Sequence, residues 1–198
     1  MPNLHYKLKD LPIFAHMNNL EDRISSSVHT ILYVLEKLGG KGDFHKIFKV
    51  MYFADQKHLT RYGSLITEDQ YIAMKNGPVP SMAYDILKAL RGQGMHSNDK
   101  EKFTQFFNLI DTYNIEAIKT ADLDELSKSA IKCLDESINE NSTFDFDSLT
   151  KKSHDAAWDE TNSDCEIPLE SIAKAGGAND AMVKYIQNTI ENQYATLA

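Results

Sequence analysis

The chain has 198 residues, of which 42% are hydrophobic and 25% charged, and its formal net charge is −8. These values are typical of one globular domain that is long enough to bury a core. The negative charge disfavours binding to phosphate backbones and anionic membranes, and two isolated cysteines, Cys133 and Cys165, argue against a disulfide framework or a zinc site.

The start of the chain lacks the features of a targeting segment. It has no basic region followed by an apolar core and a cleavage site, and no apolar run approaches the roughly 18 residues that span a bilayer. We therefore expect a cytoplasmic protein with no membrane partner. Residues 1–19 show no clean periodicity and contain Pro2 and Pro12, which predicts an N-terminal arm. Residues 20–198 are expected to form a single domain.

Two helices are predicted next. Between Leu20 and Leu38 the apolar residues recur at helical spacing, and Gly39 follows at the position where a helix end favours glycine. The second helix is predicted from an N-cap at Asp43 to a C-terminal glycine, Gly63. Its apolar residues extend past one face, which predicts a central helix packed on several sides.

A row of polar residues marks one face of this second helix. Tyr52, Asp55 and His58 are three residues apart and therefore lie on the same face. An unpaired carboxylate or imidazole in the interior costs about 1–3 kcal/mol, so Asp55 and His58 should each hold a partner. We expect that partner to be the segment that begins at Gly77 or the one that begins at His154.

The next part of the chain favours extended structure. Residues 65–67 and 71–74 predict a small hairpin, and residues 106–110 and 113–117 predict a second one. Between them, Gly77-Pro78-Val79-Pro80 predicts a stiff, pre-shaped loop, because each proline fixes φ and removes a donor. A loop that is already ordered loses little entropy on docking, so we expect it to help form a recognition surface.

Further helices are predicted over residues 81–90, over 126–138 with Ser127 as a cap, over 168–175, and after a cap at Asn179. Residues 146–158 predict a helix followed by an irregular segment that ends at Trp158, the only tryptophan. The predicted fold class is therefore α+β and predominantly α-helical, a compact helical domain with one or two small β-hairpins.

Signatures of phosphate, dinucleotide, hydrolase and zinc sites are absent from the sequence, which disfavours an enzyme and gives no reason to expect a metal or cofactor. The alternative of a metal-dependent or acid–base enzyme would use Asp55, His58 and His154, whose side chains suit that chemistry. The other alternative is a nucleic-acid-binding regulator. It would use the basic rim, which we define as Lys46, Lys49, Lys57 and Arg61.

Several short motifs occur together along the chain. They are Lys49-Val50-Met51-Tyr52-Phe53-Ala54-Asp55, His58-Leu59, Tyr62-Gly63, Ile66-Thr67, Tyr71-Ile72-Ala73, Gly77-Pro78-Val79-Pro80, Tyr84-Asp85 and His154-Asp155-Ala156-Ala157-Trp158. In combination they resemble the Panacea antitoxin domain, also called the SocA-like, phage-associated family, over roughly residues 24–185.

This resemblance implies a mostly helical fold and a role without catalysis. Members of the family are antitoxins encoded beside diverse toxins, which they neutralise by direct binding, and the founding member resembles a protease adaptor. The implied partners are a cognate toxin protein and a ClpXP-type protease. The residues expected to bind the partner, or to support its binding site, are Tyr52, Asp55, His58, Tyr62, Gly77, Pro78, Val79, Pro80, His154 and Trp158.

Overall fold

The computed structural model describes residues 13–196, and the side chains of residues 20–192. The described chain is mainly helical with a few short antiparallel strands, which confirms the predicted α+β class. Residues 1–12 of the predicted arm lie outside the described residues. The first helix begins at Ile13, so the remainder of the predicted arm is helical. No helix in the described part of the chain is long and apolar enough to cross a membrane.

The described helices are α1 (Ile13–Lys37), α2 (Phe44–Tyr62), α3 (Ser81–Ala89), α4 (Lys100–Phe103), α5 (Lys128–Asn141), α6 (Phe146–Ser153), α7 (Ala156–Asp159), α8 (Leu169–Ala175) and α9 (Asp180–Thr196). The strands are β1 (Lys41–Asp43), β2 (Tyr71–Met74), β3 (Gly77–Pro80), β4 (Phe107–Leu109) and β5 (Asn114–Ala117).

The ends of α2 confirm the predicted caps. At the start, the Asp43 carboxylate accepts a hydrogen bond from Lys46 N over 2.8 Å. At the end, Gly63 has a φ of 74° and donates its N–H to Leu59 O. Glycine reaches this left-handed conformation without the steric penalty of a Cβ atom.

The two apolar cores of the described residues meet at α2. One side of the helix contributes Ile47 and Met51 to a core shared with α1, α3, α5 and the β4–β5 hairpin. The other side contributes Phe53 and Leu59 to a core shared with α8 and α9. Full burial of such a side chain contributes about 1.5–3 kcal/mol, so packing on several sides stabilises α2 more than helix propensity does.

A three-stranded antiparallel sheet, in the order β1-β5-β4, contains the predicted second hairpin. Phe107 lies opposite Ala117, and Leu109 lies opposite Ile115. The third strand, β1, was not predicted. Gly42 of β1 lies opposite Ile115, and three residues are too few to show the alternation that marks a strand in a sequence.

The predicted first hairpin is wrong in its pairing. β2 pairs with β3, so residues 65–67 form no strand and the predicted loop Gly77-Pro78-Val79-Pro80 is itself a strand. Ser81 N donates to Gln70 O, which places the N–H positions of Pro78 and Pro80 on the side that faces away from β2. The missing proline donors therefore remove no hydrogen bond of the ladder.

Helices α3, α5, α8 and α9 confirm their predictions, with small shifts at their ends, whereas the short α4 was not predicted. The Ser127 hydroxyl accepts from Ala130 N at the start of α5, and the Asn179 side chain accepts from Met182 N near the start of α9. Residues 146–158 differ from the prediction because they form two helices. The second of these, α7, begins at the Asp155 cap, which accepts from Ala157 N and Trp158 N.

Candidate functional site

The buried polar row of α2 holds neighbouring segments, as the sequence predicted. Asp55 is only 1% exposed, and it accepts hydrogen bonds from Ile66 N over 2.7 Å and from Tyr71 Oη over 2.6 Å. Burial raises the pKa of Asp55 from 3.8 to about 7, although both hydrogen bonds favour its charged form. The predicted partners of Asp55, the segments that begin at Gly77 and at His154, are wrong. The chain reverses at Gly63, so the donors nearest to Asp55 belong to residues 66–71.

His58 holds the first residues after that reversal. Its Nδ1 lies 2.7 Å from Ser64 O and its Nε2 lies 3.1 Å from Ser129 Oγ. Because a carbonyl can only accept, Nδ1 carries the proton and Nε2 accepts from the serine hydroxyl in the neutral ring. Burial lowers the pKa of His58, which favours this neutral form. The Tyr62 ring packs against the His58 ring with 4.8 Å between centroids, and Tyr62 remains 44% exposed.

Tyr52 connects α2 to α7 through Asp155. Tyr52 Oη donates to both oxygens of the Asp155 carboxylate, at 2.9 and 3.1 Å, and Gln56 Nε2 donates to one of them at 2.7 Å. Burial and the neighbouring Asp155 charge raise the pKa of Tyr52, so it remains a donor. Asp155 also caps α7. One feature of the sequence indicates that second role, an aspartate directly before Ala156-Ala157-Trp158.

The β2–β3 hairpin is attached to α2 and α7 through its carbonyl groups. Lys49 Nζ donates to Pro78 O over 2.8 Å, and Trp158 Nε1 donates to Met74 O over 2.9 Å. The His154 ring stacks on Trp158 with 3.6 Å between centroids. Lys49 is 1% exposed, and burial lowers its pKa from 10.5 to about 7. The hairpin therefore has a fixed position on the helix.

Gly77 permits this close packing. It has a φ of 96°, and a Cβ atom there would lie 2.3 Å from Ser153 Oγ and 3.0 Å from Lys49 Nζ. Both the backbone conformation and the available space therefore require glycine at this position.

Asp69 is a structural residue that the sequence analysis missed. It is 1% exposed and accepts from Met82 N and Ala83 N at the start of α3, and from the Ser81 hydroxyl. Pro80 occupies the N-cap position and supplies no side-chain cap. The sequence indicates Asp69 only indirectly. The first N–H groups of α3 need an acceptor, and Pro80 cannot supply one.

These elements fall within a region of the chain that matches a known protein family. The family model described as antitoxin SocA-like, Panacea domain, matches residues 47–159, which is more than half of the chain. The chain belongs to this family. No curated protein and no solved structure matches it. The Panacea region runs from the first turn of α2 to the end of α7, so it includes the polar row and the whole β2–β3 hairpin.

The Panacea region does not present the basic rim as a free surface. Lys57 pairs with Glu140 at 2.7 Å, and Arg61 pairs with Glu136 at 2.6 Å, both across to α5. Lys46 Nζ donates to Ser142 O. Lys49 is not part of a rim, because its stem and amine are buried beneath β3. The four cations therefore do not form the single basic surface that the nucleic-acid alternative would use.

The three residues of the enzyme alternative hold different partners in this Panacea domain. Asp55 bonds to residues of the 66–71 segment, His58 to Ser64 and Ser129, and His154 stacks on Trp158. Within the described residues, no group of three or more His, Cys, Asp or Glu side chains is arranged to hold a metal ion.

Burial divides the ten predicted site residues into two groups. The buried group is Tyr52, Asp55, His58, Gly77, Pro78 and Pro80, and the group with exposed surface is Tyr62, Val79, His154 and Trp158. Only the second group presents side chains that a partner protein could contact directly.

Proposed function

We propose that this protein is an antitoxin that neutralises a co-encoded toxin by binding it directly. Membership of the SocA-like Panacea family carries the proposal. The acidic net charge of −8 suits a basic partner and opposes binding to nucleic acid. Neutralisation by occlusion requires a stable surface and no catalytic residue.

The buried members of the predicted site act as a scaffold in this proposal. Tyr52, Asp55 and His58 connect α2 to α7, to β2 and to the turn after Gly63. Lys49 fixes the hairpin beside them. These contacts hold the surface of the domain in one conformation before the toxin binds, which reduces the entropy lost on association.

Co-expression tests the proposal. The reading frame adjacent to this gene is induced in a host that lacks both genes, with and without this protein. We expect growth arrest from the neighbour alone and restored growth on co-expression. Co-purification of the two proteins as a stable complex is the expected biochemical counterpart. A toxic neighbour that is neither bound nor neutralised would overturn the proposal.

The same assay in a host without ClpXP separates blockade from delivery to a protease. Rescue that persists without the protease, with undiminished toxin levels, is the expected result for direct occlusion. Rescue that is lost in that host, together with toxin that disappears only when ClpXP is present, would instead assign an adaptor role.

A further inference from the structure

Three basic side chains surround the turn of the β2–β3 hairpin. The turn consists of Lys75 and Asn76, which are both exposed, and β3 begins after it at Gly77. We call the three bases the base cluster. They come from α2 and from the residue after α6, and they are His45, Lys49 and His154.

Each histidine lies beside the backbone of one turn residue, His45 beside Asn76 and His154 beside Lys75. One nitrogen of each ring, His45 Nδ1 and His154 Nε2, is buried with no hydrogen-bond partner in the described part of the chain. In the neutral ring such a nitrogen is an unpaired acceptor. In the protonated ring it becomes an N–H of a charged group, whose burial without a partner costs more.

Stacking holds both rings in place. The Phe146 ring lies 4.0 Å from the His45 ring, and the Trp158 ring lies 3.6 Å from the His154 ring, measured between centroids. Trp158 Nε1 also donates to Met74 O, directly before the turn. The rings therefore cannot rotate toward solvent without losing these contacts.

Lys49 adds a cation to the same space. It is 1% exposed, faces both histidine rings and donates to Pro78 O, directly after the turn. A Cβ atom at Gly77 would lie 3.0 Å from Lys49 Nζ and 2.3 Å from Ser153 Oγ, so the turn is packed closely against this amine.

Three carboxylates face the histidine rings. Asp43 faces His45, and Asp155 and Asp159 face His154. Asp43 and Asp155 already accept hydrogen bonds from the first N–H groups of α2 and α7. Asp159 is exposed, so water and salt screen its charge. The carboxylates therefore offset the positive charges of the base cluster only in part.

Burial opposes protonation of all three bases. It lowers the pKa of His45 from 6.5 to about 4 and that of Lys49 from 10.5 to about 7, and it also lowers the pKa of His154. The Lys49 charge lowers the pKa of both rings further. As pH falls from 6.5 toward 4, a state in which the rings are solvated therefore takes up protons that the packed state does not, and it gains in population.

We propose that the base cluster is an acid-sensitive switch, which holds the turn of the β2–β3 hairpin at neutral pH and releases it when the histidines are protonated. Release exposes the charged rings to water and separates them from Lys49. The movement is confined to the turn end, because β2 is also attached along its other edge, where Ala73 N donates to Cys165 O. The proposal does not depend on the antitoxin function.

Amide hydrogen exchange, followed by NMR and corrected for intrinsic rates, tests the proposal. The N–H groups of Gly77 and Val79 face β2, so they exchange when the hairpin opens. Between pH 7 and pH 4.5, His45 alone should raise the opening constant by roughly fiftyfold, and both amides should lose at least that much protection. The amide of Leu134 in the core of α5 should stay better protected at both pH values.

His45→Gln removes the titrating group and stays uncharged. We expect most of the acid-dependent loss of protection to disappear in this variant. The matched control is His96→Gln, because His96 bonds to Asp99 and lies outside the base cluster. This control should behave like the wild type.

Thermal melts at pH 7 confirm that the variants are folded, and His154→Gln, which should also reduce the loss, replaces His45→Gln if that variant melts early. Equal losses of protection in the wild type and in the folded variant would overturn the proposal. So would protection at Gly77 and Val79 that equals the protection at Leu134, because the hairpin would then open only when the whole domain unfolds.

Discussion

At the scale of single residues, Asp55 shows how a charged group can serve a scaffold. It lies in the interior without a cationic partner and accepts one backbone and one side-chain hydrogen bond. Desolvation and the nearby Asp69 charge oppose its ionisation, whereas the two donors favour it. The outcome is a carboxyl group with a pKa near neutrality that bridges α2 to the segment before β2. The pKa of this group resembles that of an active-site acid, but its two hydrogen bonds join neighbouring segments of the fold.

The first prediction separates these two roles. Asp55→Asn keeps an acceptor for Ile66 N, and its amide can donate to Tyr71 Oη, because a phenol can also accept. We expect its free energy of unfolding to lie within about 1 kcal/mol of the wild-type value, and we expect it to neutralise the toxin. Asp55→Ala leaves both donors, Ile66 N and Tyr71 Oη, without their acceptor. We expect its free energy of unfolding to fall by about 2 kcal/mol or more, and we expect neutralisation to be lost. Urea unfolding and the growth assay measure both. A stable Asp55→Asn protein that is inactive would indicate a chemical role.

The second prediction concerns pH. The folded state holds the Asp55 proton up to about pH 7, whereas the unfolded chain releases it near 3.8, so this group's stabilisation falls as pH rises between these values. Lys49 acts in the opposite direction. The unfolded chain keeps its proton to about pH 10.5 and the folded state releases it near 7, so the stabilisation rises with pH above 7.

Denaturant unfolding of the wild type, Asp55→Asn and Lys49→Met at several pH values tests this behaviour. Relative to Asp55→Asn, the wild type should lose stability from pH 4 to 7. Relative to Lys49→Met, the wild type should gain stability from pH 7 to 10. The lowered pKa values of His45 and His154, which face Lys49, keep both rings neutral in the alkaline range. Parallel curves for the wild type and a variant would contradict the burial of that group.

At the scale of elements, the β2–β3 hairpin shows why a motif can be recognised while its structure is misjudged. Two prolines in four residues predicted a surface loop. Both occupy strand positions whose N–H would point away from the partner strand, and the Pro78 carbonyl is the acceptor for buried Lys49. The stiffness that the two prolines predict stays a prediction, whereas the predicted loop is a strand. Its location depended on α2 and α6, which are distant in the chain.

The third prediction uses Gly77. Gly77→Ala combines a left-handed backbone with a clash against Ser153 Oγ, whereas Gly177→Ala has nearly the same φ, 91°, and no atom within 4 Å of the new Cβ. We expect Gly177→Ala to cost about 1–2 kcal/mol from conformation alone. Gly77→Ala should cost about 1–3 kcal/mol more from overpacking. Ser153→Ala in the Gly77→Ala background should restore part of that difference. Equal losses for the two glycines would show that the space around Gly77 is not limiting.

At the scale of the whole molecule, the Panacea region contains the centre of the fold but not all of its packing. Ile172 of α8 and Ile186 of α9 lie beyond the matched residues and complete the core on one side of α2. Ile31 of α1 precedes the match and belongs to the core on the other side. The organisation of residues 20–198 as a single domain stays a prediction.

The fourth prediction follows from the overall charge. A random DNA duplex should show no measurable binding at micromolar protein and physiological salt, because the net charge is −8 and Lys57 and Arg61 pair with carboxylates of α5. Fluorescence anisotropy measures this. The double variant Glu136→Lys/Glu140→Lys builds a basic face and serves as the positive control. Micromolar binding by the wild type that weakens steeply with salt would support a nucleic-acid role.

Features that depend on neighbours in the chain could be predicted from the sequence alone. Such features rest on interactions within a few residues, so their patterns are visible locally. They are the caps at Asp43, Gly63, Ser127 and Asn179, the periodicity of the long helices and the β4–β5 hairpin. The family motifs were also visible, because they are short and occur in a fixed order.

Three features could not be predicted and follow from the packing of the chain: the pairing of β2 with β3, the burial of Lys49 and the hydrogen bond from Tyr52 to Asp155. Each of these joins segments that the local pattern treats as independent. A four-residue run fits several partner strands equally well, and a lysine on a helix is buried or solvated according to what packs over it. The exposure of an apolar residue could not be predicted for the same reason, because exposure is a property of the packed surroundings and not of the sequence position.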